Sequence, residues 1–111
     1  MSGVPGRLPA TPLDAEAAAA ALAGEDLAGW ELVTDGDGSS LRRSYRFASF
    51  AAAIAYLGEL APACDAADHH PTWSNTYDRL EVLLSTHEAG NRVTARDLDL
   101  ARTLEAAFRS R

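Results

Sequence analysis

The chain carries three histidines, His69, His70 and His87. Imidazole, with an ordinary pKa of ~6.5, is the side chain best suited to moving protons near neutral pH. His69 and His70 are adjacent and stand directly before Pro71; His87 follows the next apolar run. None sits inside a regular apolar pattern. All three fall at element boundaries, where loops hold polar groups at a cleft without burying them unpaired. If the two segments share one sheet edge, the imidazoles converge on one acid/base site. A metal is the competing chemistry for such a cluster. Neighbouring histidines on one backbone rarely face one ion, and helical metal pairs prefer i, i+3 or i, i+4 spacing. Asp65, Asp68 and Glu88 are the further donors nearby. The residues point to proton transfer with no metal and no cofactor. Ser85 and His87 also form a nucleophile pair on paper, but nothing around Ser85 resembles a strained nucleophile elbow.

The elements that must position these residues follow from pattern. Leu13 to Leu27, rich in Ala, Glu and Leu, predicts a first helix, with Asp14 or Thr11 as cap and Gly24 as an interruption near its end. Trp30 to Thr34 predicts a strand, the Asp35-Gly36-Asp37-Gly38 run a turn, and Leu41 to Phe47 a second strand. In that strand Leu41, Arg43, Tyr45 and Phe47 share one face, and Arg42, Ser44 and Arg46 share a wet one. Arg42, Arg43 and Arg46 make a local basic patch, read as a solvated strand surface. Ser49 is a good N-cap for a second helix, in which Phe50, Ile54, Leu57 and Leu60 or Ala61 recur at helical spacing. Pro62 is expected to kink or divide it, and Pro71 ends it by His70. Thr72 to Tyr77 and Leu80 to Thr86 predict two more strands around an Asp78-Arg79 turn. Thr94 with Asp97 resembles a capping box for a last helix through Leu98, Ala101, Leu104 and Phe108. The order α-β-β-α-β-β-α predicts an α+β fold, a four-stranded antiparallel sheet with three helices on one face. Trp30, Tyr45, Phe47, Phe50 and Phe108 are assigned to its core, and Trp73 and Tyr77 to the core before any stacking role.

Composition narrows the classes. At 111 residues the chain is one domain, read as a flexible tail over residues 1–12 and a folded unit over 13–111. A net charge of -6 gives no general attraction for nucleic acid. The single cysteine, Cys64, can make no internal disulfide and has no zinc-type spacing; it reads as a half-buried thiol on a helix. The first residues carry Gly, Pro and Arg without the apolar stretch of a signal peptide, and no apolar run approaches the ~20 residues of a membrane span. The expected compartment is the cytoplasm, with no membrane partner. A four-stranded sheet in so short a chain leaves edges open, which predicts a homo-oligomer.

HHPTWSNTY, from His69 to Tyr77, followed by LSTHEAG, from Leu84 to Gly90, resembles the signature of the pterin-4a-carbinolamine dehydratases. The resemblance runs from about Leu22 and Trp30 through Tyr45, Phe47 and Phe50 to Asp97, Leu100 and Ala101. It implies the fold just described, assembled as homodimer or homotetramer. It also implies dehydration of 4a-hydroxytetrahydropterin to quinonoid dihydropterin, which recycles the cofactor of aromatic amino-acid hydroxylases. His69, His70 and His87 match the family's catalytic histidines. The implied roles are proton transfer for His69 and His87, and ring binding for His70 with a share in the acid step left open. Asp65, Asp68, Trp73, Ser85, Thr86, Glu88 and Asp97 are the implied substrate-side positions. Of these, Thr86 and Glu88 offer hydrogen bonds to the pterin's amide edge, and Asp65 or Asp97 can hold a histidine in one tautomer. Asp65 stands where many members carry Glu, which bears on how it orients His69. Asn91-Arg92 replaces a shorter glycine turn. Some animal members also serve as dimerisation cofactors of a homeodomain transcription factor. The alternative to an enzyme is therefore a dehydratase-like binding module, which has no need of all three histidines.

Overall fold

The computed structural model describes residues 7–111; the first half of the predicted tail, residues 1–6, lies outside the described residues. Asp14 caps the first helix, α1 (Ala15–Leu22), by accepting from the Ala17 amide at 2.7 Å. The helix ends earlier than its composition predicts. Beyond Gly24 a single 3-10 turn (Glu25–Leu27) tightens the chain and drops Leu27 fully into the core. Gly29 then turns the chain at φ 97°, and a Cβ there would meet the Arg43 guanidinium at 2.8 Å, so this approach requires glycine. Strands β1 (Glu31–Asp35) and β2 (Gly38–Arg46) form the first hairpin. Helix α2 (Phe50–Ala67) follows, capped by Ser49. Strands β3 (Thr72–Thr76) and β4 (Arg79–Leu84) form the second hairpin. A 3-10 turn (His87–Ala89) leads to α3 (Ala95–Arg109).

The sheet is antiparallel throughout, in the order β1-β2-β4-β3, which leaves β1 and β3 as edges. The predicted α+β architecture is the one observed. Register sets Leu41 opposite Leu84, Arg43 opposite Val82 and Tyr45 opposite Leu80. Leu41, Tyr45, Leu80, Val82 and Leu84 are buried on the helix-covered face. Tyr45 anchors an aromatic cluster, 4.4 Å from Phe108 and 5.6 Å from Tyr56 between ring centroids. The other face is polar. There Arg42 bridges Glu31 on β1 and Glu81 on β4. The predicted basic patch is thus broken up: Arg42 is neutralised outside, and Arg43 turns under the helices.

Helix α2 presents a different face from the one its large apolar residues suggest. Ala53, Tyr56, Leu60 and Cys64 are buried, while Phe50 is 50% exposed and Ile54 41%. Small side chains on the inner face let the helix sit close to its neighbours, and Tyr56 donates its hydroxyl to the Leu104 carbonyl at 2.6 Å. Phe50 is therefore not a core residue. Pro62 does not divide the helix, which continues as one element through this exposed position. Tyr77 also leaves the core. It sits 68% exposed in the β3–β4 turn at φ 53°, a left-handed position that points its ring to solvent.

The polar centre of the core was not foreseen. Glu105 on α3, 2% exposed, accepts from Trp30 Nε1 at 2.9 Å, Tyr45 Oη at 3.0 Å and Arg43 Nε at 2.9 Å. Arg43 Nη2 and Arg109 Nε reach its second oxygen at 3.1 and 3.2 Å. Burial opposes the charge, but the hydrogen bonds of Arg43, Tyr45 and Trp30 outweigh it and hold the Glu105 carboxyl below its usual range. A carboxyl depressed by folding stabilises the fold above its unfolded pKa, and that contribution drains away as pH falls through the folded value. Glu105→Ala is expected to cost about 3–5 kcal/mol, because it strands Arg43 and two buried donors. Glu105→Gln should cost less and should flatten the loss of stability below pH ~4.3, the ordinary glutamate value. Urea melts across acid pH check both; unchanged midpoints would refute the role.

Candidate active site

The histidine doublet follows α2 through Asp68, which closes the helix in the left-handed conformation at φ 50°. The His69 amide donates back to the Cys64 carbonyl at 3.1 Å. This reversal sends the two imidazoles to different environments. His69 is 8% exposed, and its Nε2 lies 2.6 Å from Asp97 Oδ1. His70 is exposed, with Nε2 2.9 Å from Asp65 Oδ1, itself on the surface. Asp65 therefore serves His70 and not His69; the His69 partner is Asp97.

Asp97 is fully buried in the first turn of α3. Its Oδ2 accepts from the Thr94 amide at 2.8 Å, which completes the predicted capping box, and from Thr86 Oγ1 at 2.8 Å. Thr86 and Thr94 hydroxyls lie 2.7 Å apart. An ionised carboxylate only accepts, so the network has one sense. Thr86 spends its proton on Asp97, hence Thr94 donates to Thr86. By the same rule His69 carries a proton on Nε2, and in the neutral ring Nδ1 holds the free lone pair. The helix cap thus fixes the tautomer of the histidine.

Thr86 also brings the third histidine to this place. It ends the β4 run, pairs with Arg92 across the loop, and is followed at once by His87 at the start of the 3-10 turn. Register places Thr72, just beyond the doublet, opposite Leu83, just before Ser85 and Thr86. Both histidine segments therefore lie at one end of the β3–β4 pair. The His87 imidazole is exposed there. Glu88 accepts from Arg96 Nη1 at 3.0 Å and lies 3.6 Å from Arg7 Nη2. The Arg96 hydrogen bond is the largest cause that holds its carboxyl below the usual range; burial opposes it, and the charges of Arg7, Arg96 and His69 add to the lowering.

The remaining predicted positions separate. Trp73 is half-buried on the helix-covered face of β3, opposite Val82, and packs on the core. Ser85 alternates to the other side of the sheet from Thr86 and lines a polar cleft with Asp35, Ser40 and Asn91. Asp68 gives its carbonyl and carboxylate to Arg7, at 2.8 and 3.2 Å. Asn91 takes the left-handed conformation (φ 59°) directly after Gly90 (φ 74°), and this shapes the loop after His87. Among the described residues no three His, Cys, Asp or Glu side chains are grouped to hold a metal ion. No described helix is long and apolar enough to cross a membrane. Sequence patterns missed Thr94 as a proton donor, Arg96 and Arg7. Arg96 left one signal: a cation in the first turn of a helix is electrostatically misplaced, so its presence implies anionic partners. Arg7 left none.

Known proteins are similar to this chain in sequence and in fold. The family model described as pterin 4 alpha carbinolamine dehydratase matches residues 11–107. A protein of Opitutus terrae named "Putative pterin-4-alpha-carbinolamine dehydratase" is 44% identical over 80 residues, covering 72% of this chain and 78% of its own. One of Mesorhizobium japonicum with the same name is 44% identical over 96 residues, covering 86% and 93%. The crystal structure of a transcriptional coactivator/pterin dehydratase from Brucella melitensis is 33% identical and superposes with a TM-score of 0.78, covering 88% of this chain and 99% of the other. With a match over nearly all the described residues and the same fold, the chain belongs to the pterin 4 alpha carbinolamine dehydratase family.

Proposed function

We propose that this protein dehydrates 4a-hydroxytetrahydropterin to quinonoid dihydropterin and water by histidine acid/base catalysis, recycling the cofactor of aromatic amino-acid hydroxylases. The observation that carries it is the buried His69–Asp97–Thr86 network beside the His87 segment. The reaction moves two protons and no electrons. His69 Nδ1, left free by the bond of Nε2 to Asp97, takes the proton from N5. Asp97 steadies the imidazolium that results. His87 protonates the hydroxyl on C4a, which leaves as water while the C4a–N5 double bond forms. His70, exposed and loosely tied to Asp65, binds and orients the ring. Thr86 keeps its hydroxyl on Asp97, so its part is to hold the dyad. Cys64, a buried thiol pushed up by burial, suits a reducing compartment, and we place the protein in the cytoplasm.

The second part of the proposal is a homo-oligomer. Phe50 and Ile54 leave an apolar strip on α2, and β1 and β3 leave two open edges. A second copy of this chain is the occupant proposed, since the net charge of -6 and the tied Arg42 and Arg43 disfavour nucleic acid.

In stopped-flow measurements of carbinolamine decay, His69→Ala and His87→Ala should each lower the rate by more than about tenfold, the lower bound for a positioned acid or base being nearer 100-fold. Full activity in both would end the assignment. Treatment with a chelator should leave the rate unaltered; a loss restored by zinc would move the case to a metal. Asp97→Asn places an amide N–H where His69 needs an acceptor, which turns the imidazole to its other tautomer. It should lower kcat by at least about tenfold, at a stability cost of about 1–3 kcal/mol. Nitrogen-15 spectra of the imidazole would report the tautomer, and an unchanged spectrum with wild-type kcat would refute the dyad. Sedimentation at micromolar concentration should give at least a dimer mass; a monomer would refute the assembly.

A further inference from the structure

Arg7 belongs to the stretch that composition marks as a tail, yet its side chain is only 15% exposed. Its Nη2 donates to the Asp68 carbonyl at 2.8 Å, and its Nη1 lies 3.2 Å from the Asp68 carboxylate. The same Nη2 lies 3.6 Å from Glu88 Oε1. Asp68 immediately precedes His69, and Glu88 immediately follows His87. One guanidinium therefore spans the two chain segments that carry the histidines. We propose that Arg7 is a positioning residue for the dehydration, a cross-brace that holds the His69 and His87 segments at a fixed separation. This rests on the acid/base reading above.

Three features argue for a brace and against a chance surface contact. The main chain beside Arg7 is itself secured, because Arg96 Nε donates to the Leu8 carbonyl at 2.7 Å. A little further on, the Leu13 amide donates to the Val93 carbonyl at 2.8 Å. The arm is thus laid along the loop that precedes α3 before the guanidinium makes any bond. Second, Arg96 grips Glu88 from the other side, so Arg96, Glu88, Arg7 and Asp68 form one continuous ionic chain. Third, Arg7 Nε is buried with no hydrogen-bond partner among the described residues. A loose surface tether would turn that donor to water; this one stays buried because the other contacts hold the group in place. The chain also has a bearing on Glu88. A carboxylate already facing two guanidiniums is poorly placed to receive the pterin's amide edge, and bracing is the role its surroundings fit.

A brace acts on kcat, because a proton acceptor and a proton donor must meet the same small molecule and a shift of about 1 Å can cost up to ~100-fold. Steady-state kinetics of Arg7→Ala should show kcat lowered at least about fivefold, with KM and helical content close to wild type. Arg7→Lys should recover only part, since an ammonium cannot reproduce a fork spanning two partners. Glu88→Gln should lower kcat in the same way, and the double variant should be no worse than the poorer single one. If Arg7→Ala fails to fold, Glu88→Gln, which leaves the Asp68 bonds of Arg7 intact, decides the matter. His69→Ala is measured alongside. Wild-type kcat in Arg7→Ala beside an inactive His69→Ala overturns the brace alone. An active His69→Ala overturns the catalytic reading and the brace with it. A raised kcat with lowered KM in Arg7→Ala would show an arm that obstructs the site, and a raised KM alone in Glu88→Gln would show a substrate contact; either result overturns the brace.

Discussion

The burial of the Asp97 carboxylate is the constraint from which the rest of this structure follows. A carboxylate out of water is tolerated only when donors surround it. Here the donors come from three parts of the chain: the Thr94 amide at the start of α3, the Thr86 hydroxyl at the end of β4, and His69 just past α2. Satisfying one side chain therefore ties together a helix start, a strand end and a helix end. The position of Asp97 in the first turn helps, because the N-terminal field of α3 favours a negative charge there. A device that would serve any helix as a cap has been turned inward, and a histidine has been placed on its free oxygen. The imidazole inherits the rigidity of the cap.

Helix α3 repeats the device two turns later. Asp97, Ala101 and Glu105 follow one another at i, i+4 spacing and are all buried. Glu105 gathers Trp30 from just before β1 and Arg43 and Tyr45 from β2. The two carboxylates thus pin opposite ends of the helix to different parts of the molecule, while Leu98, Leu100 and Leu104 fill the apolar space around them. Ala101 between them keeps the separation small. Apolar ridges alone specify a helix position weakly, since a shift of one turn meets similar chemistry. Two anions with directional donors admit a single position. Moving α3 along its axis would leave a buried charge unpaired at each end.

Local rules made much of this legible. Strand alternation placed Leu41, Arg43 and Tyr45 together under the helices, and Asp14, Ser49 and Thr94 cap where cap chemistry predicts. The histidines were found because residues at boundaries break the apolar periods around them. Elsewhere the sequence lacked contrast. In α2, alanine occupies so many positions that the larger Phe50 and Ile54 mimic a core stripe, while the true inner face uses Ala53 and Cys64. Glu105 was hidden for the opposite reason: a charged residue reads as solvent-facing, and only the fold reveals that Arg43, Trp30 and Tyr45 surround it. The partners of Asp65 and Asp97 were likewise beyond sequence reach, because the direction in which a doublet leaves a helix depends on the dihedral angles of one residue.

That residue is Asp68. In the left-handed conformation it reverses the chain as α2 ends, and successive side chains leave the reversal on opposite sides. His69 is driven under α3 into a network that fixes its proton; His70 is left on the surface with a solvated carboxylate for company. Two chemically identical groups, adjacent in sequence, thereby acquire different partners and different burial. The proposed division of labour, a proton taken by His69 and a ring oriented by His70, fits that asymmetry. The doublet is therefore better understood as one oriented group and one adaptable group. Its division is made by a backbone turn, and the buried carboxylate of Asp97 makes it permanent.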